Sequence, residues 1–262
     1  MGRTIVVTSG KGGVGKTTVV AGLAKALACL NASVCVVDAD IGLNNLDLVL
    51  NVENKVVYDI VDCMQGKCRI KQALIKDIIL DNLFIMPSGK NLPINMVITF
   101  KEIISKLASI FDFVLIDCPA GVDKGFKRAV ECASESIIVV TPHISSVRDA
   151  AKTINLLNSN DGKIQNYLIV NRVRGDLVAG KQMMSHLDIE TLLNIKSIGV
   201  VPECDEYNVS NSFMYVKDVK NNFNLAFKII AKNLINNTFE QLDYIKKYKG
   251  VLGYFKRKLK NL

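Results

Sequence analysis

The sequence predicts an α/β fold with a doubly wound, mainly parallel sheet of about seven or eight strands and helices on both faces. Two observations carry this prediction. Short β-branched apolar runs recur at helix-sized intervals, and the segments between them place apolar residues at helical spacing. Strands that alternate with helices indicate a parallel sheet. With 262 residues, 49% hydrophobic and 22% charged, the chain can bury a core, which excludes a disordered or fibrous protein.

The predicted strands are mostly continuous apolar runs, as expected where helices cover both faces of a sheet. They lie at residues 5–7, 34–37, 83–86, 113–116, 137–140, 168–170 and 198–201. Helical spacing is clear between them, with apolar residues at positions 20, 23, 24, 27 and 30 and at 103, 104, 107 and 110. We therefore expect one folded domain over residues 1–240 and a separate tail over 241–262.

The net charge of +8 is concentrated at the C-terminus. Residues 246–262 contain six Lys, one Arg and no acidic residue, which leaves +1 for the rest of the chain. A nearly neutral body disfavours a broad nucleic-acid-binding face. The seven Cys are an odd number without metal-site spacing, so we interpret them as reduced, packing thiols in a cytosol-like compartment.

A glycine-rich segment lies between the first predicted strand and the first predicted helix. It reads Gly10-Lys11-Gly12-Gly13-Val14-Gly15-Lys16-Thr17-Thr18 and fits the pattern G-x-x-x-x-G-K-[ST]. Backbone N–H groups of such a loop surround phosphate oxygens, while Lys16 neutralises the β- and γ-phosphates and the Thr17 hydroxyl ligates Mg²⁺. The motif indicates a P-loop NTPase; a glycine-rich turn that only joins strand to helix is the alternative.

Three carboxylates follow predicted strands, at the edge where ligands collect in open α/β sheets. Asp38 and Asp40 end the second strand, and Asp117 ends the strand at 113–116. One such carboxylate can hold Mg²⁺ or its waters, and another can orient an attacking water. A lone Asp here would more simply cap a helix. Three that converge on one phosphate loop favour the catalytic interpretation.

An additional lysine, Lys11, stands at the second position of the motif, ahead of Lys16. It makes the motif resemble the deviant Walker A ATPases, a family that includes MinD, ParA, the nitrogenase iron protein and iron–sulfur scaffold ATPases. The resemblance implies ATP as the nucleotide and a nucleotide-sandwich homodimer on ATP. In such a dimer Lys11 would reach the partner's phosphates. It also implies catalytic roles for Lys11, Lys16 and Asp40. The alternative for Lys11 is a solvated loop lysine.

Further segments resemble the bacterial and plastid MinD branch, so that the likeness covers almost the whole chain. They lie at 38–47, 56–59, 72–77, 117–121 and 145–149. By this resemblance Asp40 positions the hydrolytic water, Asp38 and Asp117 join Thr17 around Mg²⁺, and the loops of Gly42 and Gly121 are switches. Asn171 and Pro202 would contact adenine. His143 departs from the family, which usually has an acid there, and this weakens the partner contact implied at that loop.

The resemblance implies an ATP-dependent, membrane-cycling ATPase that helps to position the division site, with low intrinsic turnover. Its partners would be a MinE-type activator and a MinC-type division inhibitor. It would act in the cytoplasm, peripheral on the inner face of the cell membrane, or in a plastid stroma and on the inner envelope. The alternatives are a ParA-type partition ATPase that binds DNA, an iron–sulfur carrier ATPase, and a scaffold that holds nucleotide without turnover.

The tail has the pattern of a basic amphipathic helix. Large apolar residues recur at steps of 3, 1, 3, 4 and 3 and share about a third of a helix circumference. They are Tyr248, Val251, Leu252, Phe255, Leu259 and Leu262. Basic residues occupy the remainder, which suits an anionic membrane surface. An ordinary docked helix with a solvated basic face is the alternative.

Overall fold

The computed structural model describes residues 1–42, 45–92, 95–159, 164–204, 221–250 and 253. Its strands are β1 (Arg3–Thr8), β2 (Val34–Asp38), β3 (Ile75–Lys76), β4 (Leu83–Met86), β5 (Phe113–Asp117), β6 (Glu135–Val140), β7 (Gln165–Val173) and β8 (Ser197–Pro202). They form one sheet in the order β3-β4-β2-β5-β1-β6-β7-β8. All pairs are parallel except β3 with β4. The predicted fold class and its seven strand positions are confirmed.

The longer helices cover the sheet, and short ones lie mainly in the connections. They are α1 (Lys16–Cys29), α2 (Leu46–Val49), α3 (Ile60–Met64), α4 (Ile70–Ala73), α5 (Phe100–Ala108), α6 (Lys124–Val130), α7 (Ile144–Ser159), α8 (Gly175–Ala179), α9 (His186–Leu193) and α10 (Asn222–Asn236). No helix within the described ranges is long and apolar enough to cross a membrane.

The first helix, α1, is the central helix of the fold. Residues 19–28 of α1 are all buried, because the helix lies between the sheet and α10. The buried ring of Phe227 on α10 lies over Gly22 of α1. A helix that is apolar on all sides belongs in a protein interior. The N-terminus of α1 is therefore held rigidly at one edge of the sheet.

Parallel pairing brings the carboxyl ends of three strands together at that same edge. β1 lies between β5 and β6, and β5 lies between β1 and β2. Val7 of β1 pairs in register with Asp117 of β5, and Asp117 pairs in register with Asp38 of β2. The loop after β1 and the two carboxylates therefore share the position where open α/β sheets bind ligands.

The chain after α10 packs back onto the folded domain. Leu242, Tyr244 and Tyr248 are buried, and Tyr244 and Tyr248 lie against Gly175 at the start of α8. The sequence predicted that the tail begins at 241 and that Tyr248 belongs to its membrane-facing stripe. The structure instead buries Tyr248, because its ring fills the space beside a residue without a side chain. The predicted stripe residues Val251, Leu252, Phe255, Leu259 and Leu262 lie outside the described residues.

Candidate functional site

The phosphate loop follows β1 and ends where α1 begins. Its start is fixed by Ser9, whose Oγ donates a hydrogen bond of 2.8 Å to the carbonyl oxygen of Lys11. Its end is Gly15, which precedes the helix with φ of 92° and ψ of 33°. A residue with a side chain is strained in this left-handed region, so the turn requires glycine. The first N–H groups of α1 consequently face the cleft above the loop.

A cleft of about 340 Å³ opens over this loop. It brings together residues that the sequence predicted separately, the phosphate loop and the carboxylates of two strand ends. Its lining comprises Gly12, Gly13, Gly15, Lys16, Thr17, Thr18, Asp38, Asp40, Asn45, Asp117, Cys118, Ala120 and Arg172. A cavity that combines a phosphate loop, a lysine and three carboxylates can hold a nucleotide polyphosphate with a divalent cation.

Three predicted loop residues do not line the cleft. Val14 is the buried residue among them, with 3% of its surface exposed. Gly10 precedes the cleft, and the Lys11 side chain is exposed to solvent. Lys16 and Lys11 therefore differ in position, since the first lines the cleft of its own subunit and the second does not.

Asp38 and Asp117 are buried carboxylates on adjacent strands. Burial, together with the nearby Asp117, raises the pKa of Asp38 to about 8. Burial also raises the pKa of Asp117 to about 6, although a hydrogen bond with the Thr17 side chain and the charge of Lys16 oppose that rise. Two acidic groups that resist ionisation when the site holds no cation are a favourable setting for a divalent cation.

The hydrogen bonds of these two carboxylates differ. Asp38 accepts from the backbone N–H of Asp40 at 2.9 Å through Oδ1 and from that of Leu46 at 3.4 Å through Oδ2. Oδ1 of Asp117 is buried and has no hydrogen-bond partner. An orphaned carboxylate oxygen beside the Thr17 hydroxyl fits Mg²⁺ or one of its waters.

The protein groups at this site do not form a complete metal cage. Within the described ranges, no group of three or more His, Cys, Asp and Glu residues is arranged to hold a metal ion. Mg²⁺ is commonly bound by one or two protein groups together with substrate phosphates and waters. The pair Thr17 and Asp117 matches that mode, in which the nucleotide supplies the missing oxygens.

Asp40 lines the same cleft as the buried pair, at the start of the loop that leads to Gly42. It is half-buried, and burial raises its pKa, while Lys16 lowers it and Asp123 raises it further. The backbone N–H of Gly42 donates to the carbonyl oxygen of Gly89 at 3.0 Å. This contact ties the loop after Asp40 to the segment that follows β4.

Asn171 and Pro202 lie together in a second, smaller cleft beside the loop, lined also by Thr18, Arg172, Glu203, Cys204 and Phe223. Nδ2 of Asn171 donates to the carbonyl oxygen of Val14 at 2.8 Å. The buried Asn171 amide therefore holds the phosphate loop to β7. Its position next to Pro202 agrees with the predicted adenine contact, which stays a prediction.

Sequence reasoning missed Arg172, which lines both clefts. Arg172 is exposed and has a φ of 57°, within an irregularity where β7 shifts its register against β8. Such irregularities redirect side chains near binding sites. The sequence shows only an arginine next to Asn171, and nothing in an apolar strand pattern reveals a left-handed residue. The main cleft is lined also by three residues from the segments 38–47 and 117–121, which contain the predicted carboxylates: Asn45, Cys118 and Ala120.

Comparison with known proteins places this site in a family. Residues 2–170 match the family described as AAA domain. The septum site-determining protein MinD of Bacillus subtilis is 40% identical over 261 residues, which cover 98% of this chain and 97% of that protein. The chain belongs to the MinD family. It accordingly has the nucleotide-binding ATPase fold of this family, whose members determine the septum site in cell division.

Solved MinD structures have the same architecture. MinD in the MinC:MinD cell division complex of Aquifex aeolicus is 36% identical, with a TM-score of 0.82 over 92% of this chain and 99% of that one. MinD of Pyrococcus horikoshii, complexed with Mg-ADP, is 28% identical, with a TM-score of 0.77 over 89% of this chain and 96% of that one. The MinD family thus includes a structure that holds magnesium and nucleotide together.

Proposed function

We propose that the chain is a Mg²⁺-dependent ATPase that dimerises on ATP, attaches to an anionic membrane through its tail and helps to position the division site. The observation that carries the proposal is the single cleft that joins Lys16 and Thr17 to Asp38, Asp40 and Asp117. This arrangement supports the proposal because phosphoryl transfer to water requires a phosphate loop, oxygen ligands for a cation and a carboxylate to orient the nucleophile, and the cleft offers residues of each type.

Lys16 and the N-terminus of α1 would bind the β- and γ-phosphates. Thr17 and Asp117 would hold Mg²⁺, directly or through its waters, and Asp38 would support that shell. Bound Mg²⁺ supplies neutralisation of the charge on the phosphate oxygens. Asp38 accepts a hydrogen bond from the backbone N–H of Asp40 at 2.9 Å. This bond would couple the carboxylate proposed for the Mg²⁺ shell to the residue proposed to orient the attacking water.

Asp40 would accept a hydrogen bond from the attacking water and orient its lone pair toward the γ-phosphorus. Lys16 acts on this carboxylate as well, because its positive charge lowers the pKa of Asp40 against the effect of burial. An ionised carboxylate is the better acceptor for the water proton. Closure of the loop at Gly42 would exclude bulk water from this step.

Lys11 would act across a dimer. Its side chain is exposed and lies outside the cleft of its own subunit, while the cleft beside it is open. A second subunit placed face to face would bring one Lys11 to each cleft, so that ATP becomes part of the interface. Dimerisation would then require the triphosphate, because the phosphates are the counter-charge of the lysine.

The tail would turn dimerisation into membrane attachment. Each basic residue near an anionic surface contributes at most about 1 kcal/mol, partly offset by the ordering of the tail. One tail should therefore bind weakly, and a dimer with two tails should gain about a hundredfold or more in avidity. Hydrolysis would separate the subunits and release both tails.

The partners proposed for the dimer are a MinC-type division inhibitor and a MinE-type activator. The Aquifex aeolicus relative in the MinC:MinD complex supports the first, since its structure matches over 92% of this chain. The proposed location is the cytoplasm and the inner face of the cell membrane, or the stroma and inner envelope of a plastid. The relatives from Guillardia theta and Chlorella vulgaris support the plastid location as the alternative.

Sedimentation with anionic liposomes tests the proposal. The full chain is incubated with vesicles of phosphatidylglycerol and phosphatidylcholine in ATP or in ADP, and Lys16→Ala serves as a control that should not bind nucleotide productively. Pelleting in ATP alone supports a membrane-cycling ATPase. Equal pelleting in ATP and in ADP would contradict ATP-dependent membrane attachment. Binding of DNA but not of vesicles in ATP would favour a partition ATPase instead.

A further inference from the structure

Two cysteine side chains meet at the turn that ends α3. Cys63 lies in the last turn of the helix, Cys68 lies just beyond it, and their Sγ atoms are 3.4 Å apart. Both thiols are reduced in this structure. A disulfide bond has an S–S length of about 2.05 Å, so an approach of little more than about 1 Å would join them.

The backbone fixes this pair. The N–H of Lys67 donates to the carbonyl oxygen of Asp62, and the N–H of Gly66 donates to that of Cys63, each at 3.0 Å. Gly66 has a φ of 74°. These two bonds and a left-handed glycine define a Schellman motif, which turns the chain back over the last turn of a helix. Cys68 is consequently held beside Cys63 by the main chain.

The pair lines a groove of about 940 Å³ at the C-terminal end of α3. Turn residues Cys63, Gly66 and Cys68 line it together with Val97, Ile98 and Ile110. Cys63 is only 2% exposed, whereas Cys68 is half-buried. A small reagent that enters the groove therefore reaches Cys68 first and finds Cys63 directly behind it.

A metal site does not explain the pair. Zinc in proteins takes four ligands, or three with an open position, and two thiols alone cannot supply them. No third His, Cys, Asp or Glu completes such a set among the residues that the structure describes. Two adjacent thiols without a metal have thiol–disulfide exchange as their characteristic chemistry, and in reducing compartments such bonds serve as transient redox sensors.

We propose that Cys63 and Cys68 are a redox-active dithiol that closes to an intramolecular disulfide when the protein meets a hydroperoxide. The Cys68 thiolate attacks the peroxide, an S–O bond forms as the O–O bond breaks, and an alcohol or water leaves with one proton. Cys63 then attacks the sulfenic sulfur of Cys68. The S–S bond forms, the S–O bond breaks, and hydroxide leaves as water with the proton of Cys63.

The burial of Cys63 assigns the order of these two steps. Burial raises the pKa of Cys63 to about 12, with the hydrogen-bonded Cys68 as a further cause, so Cys63 remains a thiol at neutral pH. The thiolate is the nucleophile toward peroxide. Cys63 therefore takes the resolving role, and the half-buried Cys68 takes the peroxide-sensing role. This inference is independent of the proposed ATPase cycle.

Thiol mapping of the reduced, full-length protein tests the proposal. The protein is treated with a small excess of hydrogen peroxide, its remaining thiols are alkylated under denaturing conditions, and the intact mass and tryptic peptides are measured. We expect a loss of two hydrogen atoms and of two alkylation sites, both restored by dithiothreitol. Because trypsin cuts after Lys67, the bond should link peptide 56–67 to the dipeptide 68–69.

Single substitutions separate the two roles. Cys68→Ser, at the half-buried position, should abolish the linked peptide and leave Cys63 slow to react with peroxide. Cys63→Ser should instead leave Cys68 as a sulfenic acid that a dimedone probe captures. Cys132→Ser is the matched control, with a half-buried thiol whose Sγ donates to the carbonyl oxygen of Arg128, and should oxidise as wild type does. Two results for the peroxide-treated wild type would overturn the proposal. In one, Cys63 and Cys68 are both still alkylated; in the other, Cys63 forms a disulfide with a different cysteine.

Discussion

Asp38 and Asp117 are register partners at the carboxyl ends of β2 and β5, so two buried carboxylates face one site from adjacent strands. Strands in a sheet are about 4.8 Å apart, which keeps these charges close unless a cation lies between or beside them. The pKa of each is raised, chiefly by burial, to about 8 for Asp38 and about 6 for Asp117. Ionisation of this pair therefore opposes folding when no cation is bound.

The first prediction concerns pH and stability without nucleotide or Mg²⁺. When the pKa of a carboxyl is higher in the folded than in the unfolded protein, the folded state binds more protons than the unfolded state between those two pKa values. The free energy of unfolding therefore falls as pH rises through that range. Thermal unfolding in EDTA should show the wild type becoming less stable from about pH 5 to about pH 8. Asp38→Asn should flatten this decline and be more stable than wild type at the higher pH by at least about 1 kcal/mol.

Asp112→Asn is the control for that experiment. Asp112 is a surface carboxyl whose pKa is lowered by hydrogen bonds from Ser33, so its contribution to stability changes only in acid. Its substitution should leave the slope between pH 5 and pH 8 as in wild type. If Asp38→Asn kept the full wild-type slope, the buried pair would not be its source.

The second prediction separates turnover from binding at Asp40. Asp40→Ala should retain ATP binding and lose at least about a hundredfold in hydrolysis rate, because an oriented water matters only as the transition state forms. The variant should accumulate as a dimer in ATP, measured by gel filtration with light scattering. A monomer in ATP with normal nucleotide affinity would remove the assigned role from Asp40.

The third prediction contrasts the two lysines of the phosphate loop. Lys16→Ala should weaken nucleotide binding itself, since Lys16 lines the cleft. Lys11→Ala should bind ATP nearly as wild type does and yet fail to dimerise. Nucleotide affinity by fluorescence and mass by light scattering measure the two effects on the same samples. A Lys11→Ala protein that dimerises and hydrolyses ATP normally would make Lys11 a solvated loop residue.

The fourth prediction concerns the docked segment. A methyl group on Gly175 would lie closer to the carbonyl oxygen of Tyr244 than van der Waals contact allows. Gly175→Ala should therefore displace residues 242–248 and lower the free energy of unfolding by about 1–3 kcal/mol. Trypsin should also cut faster after Lys246 and Lys247. Gly180→Ala, where the nearest atom is 3.4 Å away, is the matched control and should change neither measurement.

The fifth prediction concerns the apolar stripe of the tail, where Phe255 and Leu259 lie one helical turn apart in the sequence. Replacement of both with Glu removes apolar burial and opposes an anionic surface with negative charge. ATP-dependent binding to anionic vesicles should disappear, while nucleotide affinity and ATP-driven dimerisation remain. A substantial drop in melting temperature, or a loss of nucleotide binding, would instead identify a docked structural helix.

The fold was largely predictable because its signals are local. Buried parallel strands read as apolar runs, and the phosphate loop must follow the first of them. β3 was not predictable, since two residues at a sheet edge carry no apolar pattern. The buried position of Tyr248 was hidden as well, because its spacing fits an amphipathic tail while the space that it fills is created by distant Gly175.

The site was predictable where chemistry coincides with strand ends, as at Asp38 and Asp117. Arg172 was not, because a left-handed residue within a strand leaves no mark in the sequence. The contact between Cys63 and Cys68 escaped for a related reason. Their spacing differs from that of familiar cysteine motifs, and only the left-handed turn at Gly66 brings the thiols together.

The burial of Tyr248 sets the point at which the proposed membrane tether leaves the folded domain. Val251, the next residue of the proposed membrane-facing stripe, follows the docked Tyr248 by three positions in the sequence. Three residues span at most about 11 Å, and a helix that lies flat on lipid adds almost no height. The ATPase would then stand directly on the bilayer, with the face around α8 turned toward the lipid headgroups. In the proposed dimer both tethers would leave from one side, so the proposed activator and inhibitor would approach from the flanks or from above.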